Sequence, residues 1–163
     1  MKKLLNNNLF KYILGIVVAL TLAFLVRAFV IERIRVVGDS MYPTLKSQEI
    51  VWCYKLGNVE REDVVLIDKK FYNNKQLVKR VIGIPGDTII IKDGKITVID
   101  KENNLVKLVE DYETSEISQD VNIHIELKKD EYFVVGDNRK VSYDSMAFGP
   151  VKKSYIIGVV LNK

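Results

Sequence analysis

Apolar residues dominate one long segment near the N-terminus. Residues 12–31 read YILGIVVALTLAFLVRAFVI, and Arg27 is the single charged side chain in this segment. A helix of this length rises about 30 Å, the thickness of the hydrocarbon core of a bilayer. Arg27 would lie near one end, where a long side chain can reach the headgroups. The pattern predicts one transmembrane signal-anchor helix over residues 12–31.

Beyond residue 31 the pattern changes to short β-branched runs separated by turn residues. Asp93-Gly94 is a strong hairpin signal between two of these runs. The spacing is typical of an all-β barrel or sandwich, and the polar stretch 100–120 is expected to be solvent-exposed. The chain is therefore predicted to be mainly β, with a β-rich domain over residues 32–163. The predicted strands cover residues 34–37, 50–54, 64–68, 77–84, 88–91, 95–99, 121–127, 132–135 and 155–161.

The net charge of +4 lies entirely in the N-terminal part of the chain. Of the 25 basic residues, Lys2, Lys3, Lys11 and Arg27 fall within residues 1–31, which contain no Asp or Glu; the remaining 21 are balanced by 21 acidic residues. A neutral β domain argues against nucleic-acid binding. Because the three lysines precede the apolar segment, residues 1–11 are predicted to be cytoplasmic and residues 32–163 extracytoplasmic.

Two other interpretations of the apolar segment compete with an anchor. The uncharged run 12–26 has the length of a secretory signal peptide, and Val26-Arg27-Ala28 resembles a cleavage site. The apolar pattern continues past that point to Ile31, which favours an anchor. A buried core helix is the least favoured, because the rest of the chain offers no helical partner.

Cysteine and histidine usage excludes several kinds of site. Cys53 is the only cysteine, so neither an intramolecular disulfide nor a cysteine metal cluster can form. His124 is the only histidine, so a histidine-rich metal site is not expected, and a Ser-His-Asp triad would have to use this residue. No metal site and no cofactor are predicted.

Three segments carry candidate chemistry, although each has an ordinary structural explanation. In the first, Gly38 and Pro43 flank Ser40 and could hold its hydroxyl clear of the backbone, but a Gly-Asp-Ser triplet is usually a plain turn. In the second, Lys79 lies in an apolar strand; burial would lower its pKa towards neutrality, whereas a surface lysine would merely cover apolar neighbours. The third, residues 136–145, is a polar loop that could orient a buried amine.

Taken together, these segments resemble the motifs of bacterial type I signal peptidases, in the same order. The matching sequences are GDSMYPTL around Ser40, REDVV from Arg61, KRVIGIPGD from Lys79, and GDNRKVSYDS followed by FGPV after residue 135. The resemblance covers the apolar segment and nearly all of the β domain except residues 100–130. It implies a membrane-bound serine endopeptidase that removes signal peptides from exported preproteins.

The resemblance also implies a role for each matching residue. Ser40 would be the nucleophile and Lys79 its general base, a known alternative to histidine. Ser142 would hydrogen-bond the lysine, with Asp137 and Asp144 as further supporting residues. The Ser40 backbone N–H would donate to the oxyanion; a second donor is unassigned, because Gly38 stands where some family members have serine, as is common in Gram-positive relatives.

Met146 departs from the family pattern. It stands where an Asp-Ser-Arg sequence has arginine, so Asp144 loses its usual ion-pair partner and must find another or stay hydrated. The Ser-Lys pair itself is intact, so activity is still expected.

Substrates of this family have small residues at positions −1 and −3 before the cut, which shallow apolar pockets would select. Candidate pocket walls are Val36, Met41, Leu45 and Leu77, each of which could equally be a core residue. The expected partners are preprotein signal peptides and the lipid bilayer, with the secretion translocon nearby.

Two rival functions remain open at this point. Self-cleaving repressors of the SOS response resemble this β fold and also use Ser and Lys, but they carry a DNA-binding domain instead of a membrane anchor. An inactive, membrane-tethered β module would bind extracytoplasmic partners, and Met146 is its only support in the sequence.

Overall fold

A computed structural model describes residues 8–108 and 117–161. The first element, α1 (Asn8–Phe29), is a 22-residue helix with no buried side chain. Its mean hydropathy reaches 2.4, and its length and composition suffice to cross a membrane. Because none of the described side chains of α1 is buried, the buried-core-helix interpretation was wrong.

The helix differs in its limits from the predicted span 12–31. It begins four residues earlier, at Asn8, and ends at Phe29. Ile31 already belongs to β1 (Ile31–Arg35), where it pairs with Tyr54 of the antiparallel β2 (Ile50–Tyr54). The pairing of β1 with β2 therefore ends the helix sooner than hydropathy alone predicts.

The β domain consists of two antiparallel sheets, so the predicted mainly β fold is confirmed. In spatial order, the larger sheet contains β1, β2, β11 (Ile156–Val160), β3 (Val64–Tyr72), β4 (Lys75–Gly83), β9 (Glu131–Val135) and β10 (Val151–Lys152). The smaller sheet contains β7 (Leu105–Val106), β6 (Lys95–Ile99), β5 (Thr88–Lys92) and β8 (Ile123–Glu126). A short helix, α2 (Ser145–Phe148), follows β9.

Tight turns set the register of the two hairpins. Asp93 and Gly94 have positive φ angles of 51° and 76°, as the predicted hairpin between β5 and β6 requires. Asn73 and Asn74, with φ of 45° and 57°, connect β3 to β4 in the same way. This second hairpin extends β3 four residues beyond the predicted end at 68.

The core is divided into three apolar clusters. One lies beneath β1 and β2 and includes Met41 and Leu45. A second packs between β3, β4 and β9, and a third joins the smaller sheet to β9. The predicted excursion 100–120 is mostly exposed over residues 100–106, but Ile117 is buried in the third cluster. Residues 109–116 of that excursion lie outside the described residues.

Candidate active site

Ser40 lies in the loop that joins β1 to β2. Gly38 has a φ of 92°, which allows the chain to turn just before the serine. The loop is held by backbone hydrogen bonds from Tyr42 N–H to Asp39 O (3.1 Å) and from Leu45 N–H to Met41 O (2.8 Å). Because Met41 and Leu45 are buried, they fix the loop to the core and leave Ser40 half-buried.

Lys79 reaches Ser40 from the middle of β4. Its side chain is buried, with only 3% of the residue exposed, and its Nζ donates a hydrogen bond to Ser40 Oγ at 2.7 Å. His124, in contrast, is an exposed residue of β8, paired opposite Ile90 in the smaller sheet. The base within reach of the serine is therefore the lysine.

Burial makes Lys79 a weaker base than an exposed lysine. The loss of water around the ammonium group lowers its pKa from 10.5 to about 8. The negative charges of Asp144 and Asp137 act in the opposite direction and keep the pKa from falling further. The amine can therefore be neutral at mildly alkaline pH, as a general base must be.

Asp137 connects three segments around the contacting pair Ser40 and Lys79, here called the dyad. It is fully buried and pairs with Arg80, with Nε–Oδ1 at 2.8 Å and Nη2–Oδ2 at 2.7 Å. The Thr44 hydroxyl donates to the same carboxylate, and Arg80 also donates to the Glu62 carbonyl. Asp137 thus ties its own loop to β4, next to Lys79, and to the loop that carries Ser40.

Asp144 has found other partners in place of the missing arginine. Its carboxylate accepts hydrogen bonds from Gly136 N–H (3.0 Å) and from Met146 N–H (3.1 Å), so that it caps α2. The residue is 1% exposed, so it does not remain hydrated. Met146 packs against the third apolar cluster. The loop therefore closes on itself through backbone contacts and needs no ion pair at this position.

Ser142 is placed beside the dyad but does not make the predicted hydrogen bond. Its hydroxyl is buried and has no hydrogen-bond partner among the described residues. It lies instead against Gly136, whose backbone also approaches the Ser40 carbonyl. The Asn138 N–H donates to that same carbonyl at 3.0 Å. An orienting role for Ser142 stays a prediction.

The close approach at Gly136 leads to a first prediction. In Gly136→Ala, the added Cβ would lie 2.5 Å from the Ser40 carbonyl oxygen and would also clash with the Ser142 side chain. Because a backbone oxygen cannot move aside alone, the serine loop must shift, and misplacement of a nucleophile by about 1 Å can lower the rate by about 10²-fold. We expect kcat/KM to fall by that amount. Gly15→Ala, whose Cβ meets no atom within 4 Å, is the matched control.

A cleft of about 520 Å³ opens beside the dyad, between β1 with its following residues and the first half of β4. Val36, Met41 and Leu77 line it, as predicted for pocket walls. Leu45 does not: it is fully buried in the first apolar cluster, where it secures the Ser40 loop. The prediction for Leu45 was therefore wrong, because its side chain points into the core and not into the cleft.

The sequence analysis missed the Arg80–Asp137–Thr44 network. A signal was present, because Arg80 follows Lys79 in an apolar strand, and a guanidinium buried there requires an anionic partner. It also missed a further buried carboxylate, that of Asp87, which accepts two hydrogen bonds from Arg61 and one from Ile84 N–H. This pair joins the turn after β4 to the segment before β3.

Comparisons with known proteins identify the family of the chain. Residues 9–162 match the family described as signal peptidase, peptidase S26. The chain is 36% identical to a signal peptidase I of Bacillus licheniformis, over 94% of this chain and 87% of the relative. It is 34% identical to signal peptidase IB of Staphylococcus aureus strain N315, over 96% of this chain and 89% of the relative.

The fold also has a solved counterpart. The crystal structure of a signal peptidase I from Enterococcus faecalis V583 superposes with a TM-score of 0.50 at 25% identity. The match covers 64% of this chain and 98% of that one. The chain therefore belongs to the signal peptidase family S26, and it is a serine peptidase.

Proposed function

We propose that this protein is a membrane-anchored peptidase that removes N-terminal signal peptides from exported preproteins, with Ser40 as nucleophile and Lys79 as general base. The observation that carries the proposal is the 2.7 Å contact between Lys79 Nζ and Ser40 Oγ, made by a lysine that is 3% exposed. Among the described residues this amine forms no salt bridge, and the side-chain contact that it makes is with the Ser40 hydroxyl, as proton transfer requires. Family membership supplies the class of substrate.

In the acylation step, neutral Lys79 accepts the Ser40 proton while Oγ bonds to the carbonyl carbon of the −1 residue. The Ser40 backbone N–H donates to no described residue, so it is free to stabilise the oxyanion. The Lys79 ammonium then protonates the departing amine as the peptide bond breaks. A water molecule attacks the acyl-enzyme with Lys79 again as base, which releases the signal peptide and restores Ser40.

The cleft can take an extended peptide as an additional strand. In the described part of the chain, β1 pairs only with β2, and residues 75–79 of β4 pair only with β3. Both strands therefore present a free backbone edge to the cleft that they line. Val36, Met41 and Leu77 would form the shallow apolar pockets that accept small side chains at −1 and −3.

The anchor would hold this cleft near the membrane. One residue, Val30, separates the end of α1 at Phe29 from the start of β1 at Ile31, and Ser40 follows nine residues after Ile31. Basic residues precede the helix, so the positive-inside rule places the N-terminus in the cytoplasm and the cleft outside. This arrangement would bring Ser40 to the side of the membrane where the translocon delivers preproteins.

Cleavage of a preprotein by the detergent-solubilised full-length chain tests the proposal. We expect one cut after a small residue at −1, and loss of cleavage when that residue is changed to Phe. Ser40→Ala should be inactive, whereas Ser154→Ala, at an exposed serine of the turn before β11, should cleave normally. Cleavage by Ser40→Ala, or none by the wild type beside an authentic signal peptidase that works, would refute it.

The lowered pKa of Lys79 predicts the pH dependence of the reaction. Only the neutral amine can accept the serine proton, so its active fraction falls about ten-fold per pH unit below a pKa of about 8. We therefore expect kcat/KM to rise from pH 6 to pH 8 and then to level off. A rate that stays flat from pH 5 to pH 9 would show that a titrating lysine does not control catalysis.

A further inference from the structure

The cleft changes character with distance from the dyad. Near Ser40 and Lys79 its walls are mainly apolar, but two basic residues also line it: Arg35 on β1, five positions before Ser40, and Lys75 on β4, four positions before Lys79. Both side chains are exposed, and none of the residues that line the cleft is acidic. A peptide lying in the cleft would therefore meet two positive charges at the end remote from the reacting bond.

Nearby groups leave these charges uncompensated. Arg35 makes a long contact of 3.4 Å with the Gln48 amide oxygen, which is neutral. Of the two carboxylates beside this part of β4, Glu32 is already paired with Lys55 at 3.0 Å and accepts a hydrogen bond from the Gln76 amide, and Asp68 accepts one from the Lys70 N–H. The acidic partner for this end of the cleft would thus come from outside the chain.

Strand geometry indicates which substrate residue lies there. Side chains alternate along a strand, so Lys79, Leu77 and Lys75 share one face of β4. An extended substrate has the same rise per residue as β4, so −1 would lie at Lys79, −3 at Leu77 and −5 at Lys75. Position −5 would then be about 13 Å from the reacting carbonyl, at roughly 3.3 Å per residue. This direction follows from the proposed function, in which the −1 and −3 side chains contact Leu77 and the other apolar residues that line the cleft.

We propose that Arg35 and Lys75 form a specificity site that favours preproteins with an acidic side chain at position −5. This inference rests on the proposed function and adds a preference to it. The site would attract Asp or Glu and repel Lys or Arg at that position. The charges act while the substrate is bound, so the preference should be expressed mainly in KM, with kcat little changed.

The test uses the full-length chain in uncharged detergent micelles with three preprotein substrates that differ only at −5, carrying Asp, Asn or Lys. We expect kcat/KM for Asp to exceed that for Lys by about five-fold at low salt, as for exposed charge pairs, and the ratio to shrink as salt screens them. The double variant Arg35→Glu/Lys75→Glu should reverse the preference. Lys92→Glu/Lys95→Glu, which changes the net charge equally on the hairpin of the smaller sheet, should leave it unchanged.

Cleavage of the Asn substrate separates this inference from the proposed function, since it reports on the peptidase itself. If that substrate is cut but Asp and Lys are cut equally, the specificity site does not exist. Equal loss of preference in both double variants would also overturn it, because the effect would then come from net charge. A preference that arises only in anionic vesicles, and not in micelles, would assign Arg35 and Lys75 to lipid headgroups instead and would likewise overturn it.

Discussion

Lys79→Ala is expected to lower kcat/KM for preprotein cleavage by about 10³-fold or more, since general-base catalysis and activation of the nucleophile are lost together. The wild-type amine lies 2.7 Å from Ser40 Oγ, so its removal leaves the hydroxyl without an acceptor for its proton. The side chain is also buried, so alanine leaves a cavity and the folding of the variant has to be checked. Steady-state cleavage at pH 8, with circular dichroism to confirm folding, measures the effect.

Lys79→Arg tests the loss of the base without the loss of the positive charge. The guanidinium keeps a positive charge near Asp137 and Asp144 but does not deprotonate in a protein, so it cannot serve as base. This variant should therefore be as inactive as Lys79→Ala. Lys95→Ala, at an exposed lysine of β6, is the matched control and should retain full activity. Activity of Lys79→Arg within ten-fold of the wild type would contradict the assigned role.

Asp137→Asn is expected to lower the free energy of unfolding by about 3–5 kcal/mol, because it leaves the Arg80 guanidinium buried without its anionic partner. In a domain of this size the melting temperature should fall by on the order of 10 °C. Activity should fall as well, since Asp137 joins β4 to the Ser40 loop through Arg80 and Thr44. Thermal unfolding of the detergent-solubilised protein measures the first effect.

Two further variants compare the buried Arg80–Asp137 ion pair with an exposed ion pair. Replacing both partners, in Arg80→Met/Asp137→Leu, should cost less stability than Asp137→Asn, since no unpaired charge remains buried. Lys128→Ala removes an exposed pair with Glu131, whose N–O distance is 3.8 Å, and should change stability by less than about 1 kcal/mol. A melting temperature for Asp137→Asn equal to that of the wild type would show that the Arg80 pair does not hold the site together.

The sequence predicted the elements that rest on local chemistry. Alternating β-branched runs and the Asp93-Gly94 turn located most strands, because side-chain periodicity and turn residues are local properties. The turn at Asn73-Asn74 carries a similar local signal for the hairpin that extends β3 to Tyr72. The two-residue strands β7 and β10 are too short to show an alternating pattern, so no local pattern marks them.

The site was likewise predictable only where it depends on local sequence motifs. The motifs around Ser40 and Lys79 led to the dyad, and the contact between the two residues requires a fold that brings together positions 39 residues apart. Leu45 could not be assigned, because an apolar residue near a nucleophile is equally suited to a pocket or to the core. The partners of Asp144 were also not predictable, since its carboxylate accepts from backbone N–H groups, which every residue other than proline carries.

The most direct test of the central claim is covalent labelling with a serine-directed acylating probe, followed by mass spectrometry to locate the adduct. We predict a single adduct on Ser40 in the full-length protein, formed faster as the pH rises through about 8, the pKa of Lys79. Labelling should be lost in both Lys79→Ala and Ser40→Ala. An adduct on another serine, or labelling of Lys79→Ala at the wild-type rate, would contradict a Ser40 nucleophile that is activated by Lys79.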